Sequence, residues 1–213
     1  MNKKKDINPS DHWNKVYANK DTELLGWYED DVSPTLRLVR KSGAGPNSRI
    51  LNIGAGSTML VDSLLALGYT NLIATDISEV ALMSLQERIG DKSNMVDWIV
   101  DDLTRPSQLN KLEPVDLWID RAVLHFFTER NDQDTYFALM KQMVHKFGYV
   151  ILAQFSAESA DMCSGLPVHR YSLDTLNLKM GSDFKLITSF DHLYSMPSGD
   201  LRPYIYTLYQ RIS

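Results

Sequence analysis

The sequence predicts a doubly wound α/β domain, with a mostly parallel seven-stranded sheet, helices on both faces and a C-terminal antiparallel hairpin. Three observations predict it. From residue 49 to residue 155, short apolar runs bounded by turn residues alternate with longer segments of helical spacing. Strands that alternate with such helices build βαβ units, whose right-handed crossovers put helices on both faces of a parallel sheet. The first apolar run leads through Gly54-Ala55-Gly56 into a helical segment. Beyond residue 180 the pattern becomes two strand-like runs, 184–193 and 203–212, joined around Pro197-Ser198-Gly199-Asp200.

Ser10 and Asp11 are placed to cap a short helix carrying Trp13, Val16 and Tyr17, which Gly26-Trp27-Tyr28 interrupts. Ser33-Pro34 opens a second helix, because proline is tolerated in a first turn. That helix offers Leu36, Leu38 and Val39 to a core and ends near Gly43. Residues 1–45 are thus expected as a helical cap, and 46–213 as the core of one domain. Strands are expected at 49–53, 71–75, 96–100, 115–119 and 149–155. Between them come a helix at 57–67 capped by Ser57 or Thr58 and stopped at Gly68, and one at 79–89 closed by Gly90. A short helical link at 107–112, an amphipathic helix at 132–147 ended by Gly148, and a helix at 172–180 complete the set.

Bulk properties narrow the partners. The 213 residues are 44% apolar and 23% charged, ordinary values for a globular domain. The formal net charge of -5 argues against nucleic acid, whose phosphates call for clustered Lys and Arg. Cys163 is the single cysteine, so an intrachain disulfide or a cysteine-built metal site is excluded, and a reducing, cytoplasmic setting is expected. Lys3, Lys4 and Lys5 are followed by no apolar run, so no secretory signal is read there. No window approaches the ~18 apolar residues of a membrane span.

The chemistry concentrates in one stretch. Residues 50–53 run into Gly54-Ala55-Gly56, where glycine permits a tight turn and lets a ligand lie on bare backbone. Asp76 and Ile77 follow at the end of the next strand, about 20 residues on, where an acid accepts both ribose hydroxyls. Met59 stands where a dinucleotide site has its third glycine, and no Gly-Lys-Ser/Thr sequence exists. S-adenosylmethionine has a ribose and an adenine but no pyrophosphate, so it needs the turn and the acid without the phosphate cradle. Asp101-Asp102-Leu103 ends the third strand, where Asp102 can take the adenine amino group and the Leu103 backbone can meet the ring. Asp120-Arg121 leaves the fourth strand at the sheet's carboxyl edge, where ligands of doubly wound sheets lie.

With these residues in place, the chain resembles the class I, Rossmann-like S-adenosylmethionine-dependent methyltransferases over nearly its whole length. It looks most similar to a bacterial branch distantly similar to thiopurine methyltransferases and to some protein-lysine methyltransferases. The marks are His12-Trp13 through Tyr17, Gly26-Trp27-Tyr28, Leu51 through Gly56, Leu60-Val61-Asp62, residues 120–126, and Cys163 through Val168 with Arg170-Tyr171. The resemblance implies that Trp13, Tyr17 and Trp27 close the cofactor site, and that S-adenosylhomocysteine is the product. Ile119 and the segment 201–204 depart from the branch's pattern and leave the acceptor open.

Methyl transfer from a sulfonium needs an in-line approach to a group that is already activated, so positioning can supply most of the acceleration. Asp120 and His125 are the candidate bases. Tyr28, Arg121, Phe126, Arg170 and Tyr171 are the candidate acceptor contacts. Several of these residues have plainer readings: the N-terminal aromatics as core packing, Asp120 with Arg121 as a structural ion pair, and His125 as a packed residue. A small-molecule acceptor is the leading expectation. A protein-lysine methyltransferase and a cofactor-binding module without catalysis are the alternatives.

Overall fold

Pro9 fixes the first turn of α1 (Pro9–Asn19), and the residue before it makes the cap. Asn8 Oδ1 accepts the backbone N–H groups of Ser10 and Asp11 at 3.0 and 3.5 Å, so the cap falls on Asn8 and not on Ser10 or Asp11. This is a computed structural model, and it describes residues 8–56 and 58–213. The lysines at 3–5 lie outside that range. A 3-10 turn at Thr22–Leu24 and the Gly26-Trp27-Tyr28 interruption lead to α2 (Ser33–Ser42), opened by Pro34 and buried through Leu38 and Val39.

The alternating region then runs β1 (Ile50–Ile53), α3 (Leu60–Ala66), β2 (Leu72–Asp76), α4 (Glu79–Ile89), β3 (Val96–Val100), β4 (Val115–Arg121), α5 (Arg130–Met143) and β5 (Val144–Phe155). A two-stranded ribbon, β6 (Met162–Cys163) and β7 (Leu166–Pro167), precedes α6 (Leu173–Met180) and the long hairpin β8 (Phe184–Ser195) and β9 (Leu201–Arg211). The main sheet has the order β3-β2-β1-β4-β5-β9-β8. Strands β1 to β5 pair in parallel, whereas β9 is antiparallel to both β5 and β8. The expected seven-stranded sheet is therefore present, with the hairpin's second strand turned inward and its first strand at the edge.

Both faces of the sheet are covered, which is why β1 is buried throughout. Successive side chains point to opposite faces. Ile50, Leu117, Ile119 and Ile151 face Leu38, Val61, Leu64 and Leu85 of α2, α3 and α4. Leu51, Ile53, Trp118 and Val150 face Tyr136, Leu139, Met143 and Leu176 of α5 and α6. Each fully buried large apolar side chain contributes roughly 1.5–3 kcal/mol.

Four expectations are corrected. Helix α3 begins at Leu60 rather than at residue 57; Met59 holds its N-cap position without a side-chain bond, and Ser57 lies outside the described residues. Thr58 is no cap, because the helix begins two residues later and Met59 takes the N-cap position. The helix expected to reach residue 147 stops at Met143, and β5 starts at once. There His145 Nε2 meets Asp116 Oδ1 at 2.5 Å and residues 145–148 bulge, so that Val115 pairs with Val144 but Leu117 pairs with Tyr149. The helical link at 107–112 is a 3-10 turn, Leu109–Lys111. The β6–β7 ribbon was not expected, since strands of two residues have no period to read.

Candidate active site

A cleft of about 330 Å³ opens at the carboxyl ends of β1 to β4. Its floor is the turn after β1. Gly54 and Gly56 have φ of 57° and 51°, and Ala55 between them donates its N–H to Thr75 O at 2.8 Å. A Cβ on Gly54 would stand 2.1 Å from Val123 Cγ2, and one on Gly56 would stand 2.6 Å from the Tyr17 hydroxyl. Glycine is required at both positions by conformation and by space. Gly54 lines the cleft, whereas Ala55 is buried beneath the turn and Gly56 is covered by Tyr17.

Asp76 ends β2 beside this turn. Its Oδ2 accepts Gly56 N–H and its Oδ1 accepts Ser78 N–H, both at 2.9 Å. Burial pushes its pKa up to about 6, against the opposing pull of those backbone bonds. Ile77 follows on the cleft wall, and its carbonyl accepts the Ser10 hydroxyl at 3.1 Å. At the end of β3, Asp101 accepts the backbone N–H groups of Ser107, Gln108 and Leu109, which holds that loop in place. Asp102 Oδ1 accepts from Thr104 N and Oγ1 at 2.8 Å, while its Oδ2 has no partner among the described residues. Asp102, Leu103 and Thr104 all line the cleft.

Two segments cover it. Helix α1 has no buried residue, and Asn14 Oδ1 anchors it to α4 by accepting from Ser78 Oγ at 2.8 Å. Trp13, Tyr17 and Trp27 line the cleft together, with Trp27 Nε1 donating to Tyr17 Oη at 3.1 Å and Trp13 set edge-on to both Trp27 and Phe126. The β6–β7 ribbon supplies Cys163, Leu166 and Pro167. Burial pushes the Cys163 thiol up to about 11, so it is not a nucleophile at neutral pH.

The end of β4 corrects several expectations. Asp120 does not line the cleft. Its buried carboxylate accepts Val123 N–H at 3.0 Å, Leu124 N–H at 3.2 Å, Tyr136 Oη at 2.6 Å and Gln154 Nε2 at 2.8 Å. It is saturated, so it holds the 121–125 turn and is neither base nor cofactor ligand. That turn carries Ala122 at φ 69°, a strained value for a residue with a Cβ. Arg121 pairs with Glu29 at 2.9 Å rather than with Asp120, and also donates to Trp27 O and Tyr206 Oη. His125 is fully buried between Phe126 and Phe155, and burial lowers its pKa to about 3, with the Arg121 charge adding to the effect. An imidazole held neutral so firmly is a poor general base.

Phe126 lines the cleft, but Tyr28, Arg170 and Tyr171 do not. The Tyr28 carbonyl accepts the Tyr194 hydroxyl, which fastens the N-terminal segment to β8. Arg170 Nη1 donates to Ser159 O at 3.2 Å as a loop anchor. Tyr171 is wholly buried, with its N–H bonded to Phe155 O at 2.8 Å. Sequence reasoning missed Thr58, Thr75, Val123, Leu166 and Pro167 as lining residues. The Ser164-Gly165 dipeptide, left-handed at both residues, was the one signal for the ribbon. Among the described residues, no group of three or more His, Cys, Asp or Glu is placed to hold a metal ion, and no helix is long and apolar enough to cross a membrane.

Residues 51–152 match a family profile described as a methyltransferase domain. The mouse (Mus musculus) eEF1A lysine and N-terminal methyltransferase is 27% identical over 101 residues, which are 47% of this chain and 14% of that protein. The match therefore spans a small part of the curated relative's length. Among solved structures, a SAM-dependent methyltransferase from Anabaena variabilis superposes with a TM-score of 0.77 at 15% identity, covering 98% of this chain and 97% of that one. The 1,6-didemethyltoxoflavin-N1-methyltransferase of Burkholderia thailandensis, solved with 1,6-didemethyltoxoflavin and S-adenosylhomocysteine bound, gives 0.66 at 14% identity, covering 96% and 84%. At these identities the likeness is one of fold.

Proposed function

We propose that this chain, whose fold is that of the class I methyltransferases, binds S-adenosylmethionine in the cleft and transfers its methyl group to a small-molecule acceptor. One observation carries the reading: two carboxylates at the ends of adjacent strands face one cleft, each with acceptor capacity to spare. Asp76 spends one lone pair of each oxygen on a backbone N–H, and an ionised carboxylate has about four such sites. Two remain for a ribose diol. Asp102 Oδ2 is open to an exocyclic amine, and the Leu103 N–H has no protein acceptor among the described residues. Gly54 lets the ligand lie against the backbone. The residues present fit the cofactor.

When bound, the cofactor supplies a methyl group already activated by its sulfonium. The chain's own residues then have to orient, shield and exclude water. Trp13, Tyr17 and Trp27 offer aromatic faces to a cation, worth about 0.5–2 kcal/mol by cation–π attraction. Held in line, two reactants gain effective molarities of roughly 10⁵–10⁸ M, so no strong base is needed beside them. The cleft's volume suits a small molecule, and α1 and the ribbon close it from two sides.

The likeness to the mouse protein favours a second reading, a protein-lysine methyltransferase. The test is to mix methyl-labelled S-adenosylmethionine with the purified chain and a bacterial lysate, and to count label separately in metabolites and macromolecules. Label in metabolites supports the first reading and label in protein the second. Tight cofactor binding with no label in either leaves a binding module without catalysis.

A further inference from the structure

The cleft divides by chemistry. Its carboxylates come from the loops after β2 and β3 (Asp76, Asp101, Asp102) and from the first turn of α5 (Asp132). Helix α5 runs beside the loop after β3, with Gln142 Nε2 donating to Asn110 O at 3.0 Å, so Asp132 belongs to that same end. The opposite wall comes from the N-terminal segment, the turn after β4 and the ribbon: Trp13, Trp27, Phe126, Cys163, Leu166 and Pro167. These segments hold one another. Trp13 lies edge-on to Trp27 and Phe126, with ring centroids 5.3 and 5.0 Å apart. Arg121 Nη1 donates to Trp27 O at 3.0 Å, and the chain leaving the ribbon bonds His169 N–H to His125 O at 2.7 Å.

Among the described residues this wall offers neither a free charge nor a base. Arg121 is the one Lys or Arg that lines the cleft, and its guanidinium is paired with Glu29 and held over the rings of Tyr194 and Tyr204. The Asp120 carboxylate is buried under four donors, and both ring nitrogens of His125 are buried as well. The Tyr17 hydroxyl accepts from Trp27 Nε1, and burial raises its pKa well above that of an ordinary phenol. Burial likewise holds the Cys163 thiol at about 11. A hydroxyl must give up a proton as it is methylated, and an ammonium must give one up beforehand; this wall takes neither. A thiolate would bring a negative charge that meets no free cation.

Resting on the methyltransferase reading above, we infer that the acceptor is an uncharged aromatic heterocycle, methylated on an unprotonated ring nitrogen of the pyridine kind. The nitrogen's in-plane lone pair forms the new N–CH3 bond, while the electron pair of the S–CH3 bond stays on sulfur. The positive charge passes from sulfur to the ring, the product is an N-methyl cation, and no proton is released. Charge is conserved through the step, so the wall needs no base and no counter-ion. Its aromatic side chains suit both the flat substrate and the cation made from it.

The experiment offers the full chain and S-adenosylmethionine the two-ring acceptors isoquinoline, 2-naphthol and 2-naphthalenethiol, with Nα-acetyl-lysine methyl ester beside them. Mass spectrometry of the products gives kcat/KM, and calorimetry of the chain saturated with S-adenosylhomocysteine gives the binding of each acceptor. Isoquinoline is expected to bind the saturated chain and to be N-methylated at least about 100-fold more efficiently than the naphthol or the lysine derivative, the lower end of what a general base supplies to acceptors that need one. It should also surpass the thiol. Its kcat should be level between about pH 7 and 9, since no group in the wall has to take a proton. Phe126→Ala, or Leu166→Ala on the ribbon if that variant does not fold, should weaken isoquinoline binding about tenfold and leave S-adenosylhomocysteine affinity within about threefold. Faster methylation of any other acceptor, a kcat that climbs through that pH range, or isoquinoline affinity unmoved by the variant overturns the assignment. So does isoquinoline that fails to bind the saturated chain, or binds and is not methylated. Failure of the wild-type chain to bind S-adenosylhomocysteine sinks the methyltransferase reading instead, and this assignment with it.

Discussion

Asp76→Asn separates the electrostatic part of cofactor binding from the architectural part. In the folded chain the carboxylate accepts Gly56 and Ser78 N–H groups at 2.9 Å each. The amide has one accepting oxygen, so one of these N–H groups loses its partner, at a cost to stability of about 1–3 kcal/mol. Affinity falls further, because the diol exchanges a charged acceptor for a neutral one. Hydrogen bonds to a charged group are worth about 1.5–3 kcal/mol, which is roughly a 10- to 100-fold weaker Kd for S-adenosylhomocysteine. A pH signature accompanies it. The ligand needs the ionised form, and burial has raised this pKa to about 6, so binding takes the deprotonated state and weakens as pH falls through that value. Wild-type affinity should be level from about pH 8 to 7 and roughly tenfold weaker near pH 5, whereas the Asn variant should show no such slope. Isothermal calorimetry at several pH values measures both. A variant within threefold of wild type at pH 8, or a flat wild-type profile, would refute the role given to this carboxylate.

Three further outcomes are expected. Tyr136→Phe removes the hydroxyl that donates to Asp120 and accepts from Trp118 Nε1, so urea denaturation should show a loss of about 1–3 kcal/mol per orphaned group, with cofactor affinity within threefold of wild type. Gly148→Ala sets a Cβ 2.9 Å from Val144 Cγ1 and 3.1 Å from Asp116 O, and overpacking of this kind should cost about 1–3 kcal/mol in the same assay. The His145–Asp116 pair should give a small pH dependence of stability. Its hydrogen bond raises the His145 pKa, so the contribution is whole below the ordinary histidine pKa and is lost as pH rises through the raised one. Both side chains are half exposed, which limits it to about 1 kcal/mol or less, and His145→Gln should remove the slope of the urea midpoint between about pH 6 and 9.

The sheet was legible because its strands are apolar runs and its helices carry stops. Gly90 closes α4, and α6 ends at Met180, where the sequence places them. The floor of the cleft was legible for a related reason: Gly54, Asp76 and Asp102, which line it, are fixed by their positions at strand ends, which is local information. The surroundings of Asp120 and Arg121 were not. Asp120 reads as a free carboxylate in the sequence, and only the packing of α5 and β5 brings Tyr136 and Gln154 onto it. Arg121 finds its counter-ion 92 positions earlier, at Glu29. Helical periodicity likewise continues past Met143 while the backbone has already turned into β5, since the pull of Asp116 on His145 is a contact between strands.

Strand β9 lies between β5 and β8, paired along its length with both. During synthesis the parallel half of the sheet can assemble as it emerges, but β5 keeps a bare edge until residues 201–211 have left the ribosome. At roughly 5–20 residues per second, the 56 positions from Phe155 to Arg211 represent a delay of roughly 3–11 seconds. For that interval Tyr149 to Phe155 offers unpaired backbone to any neighbouring nascent chain. The hazard is greatest on crowded polysomes, and a stop codon placed in the β8–β9 turn would make it permanent.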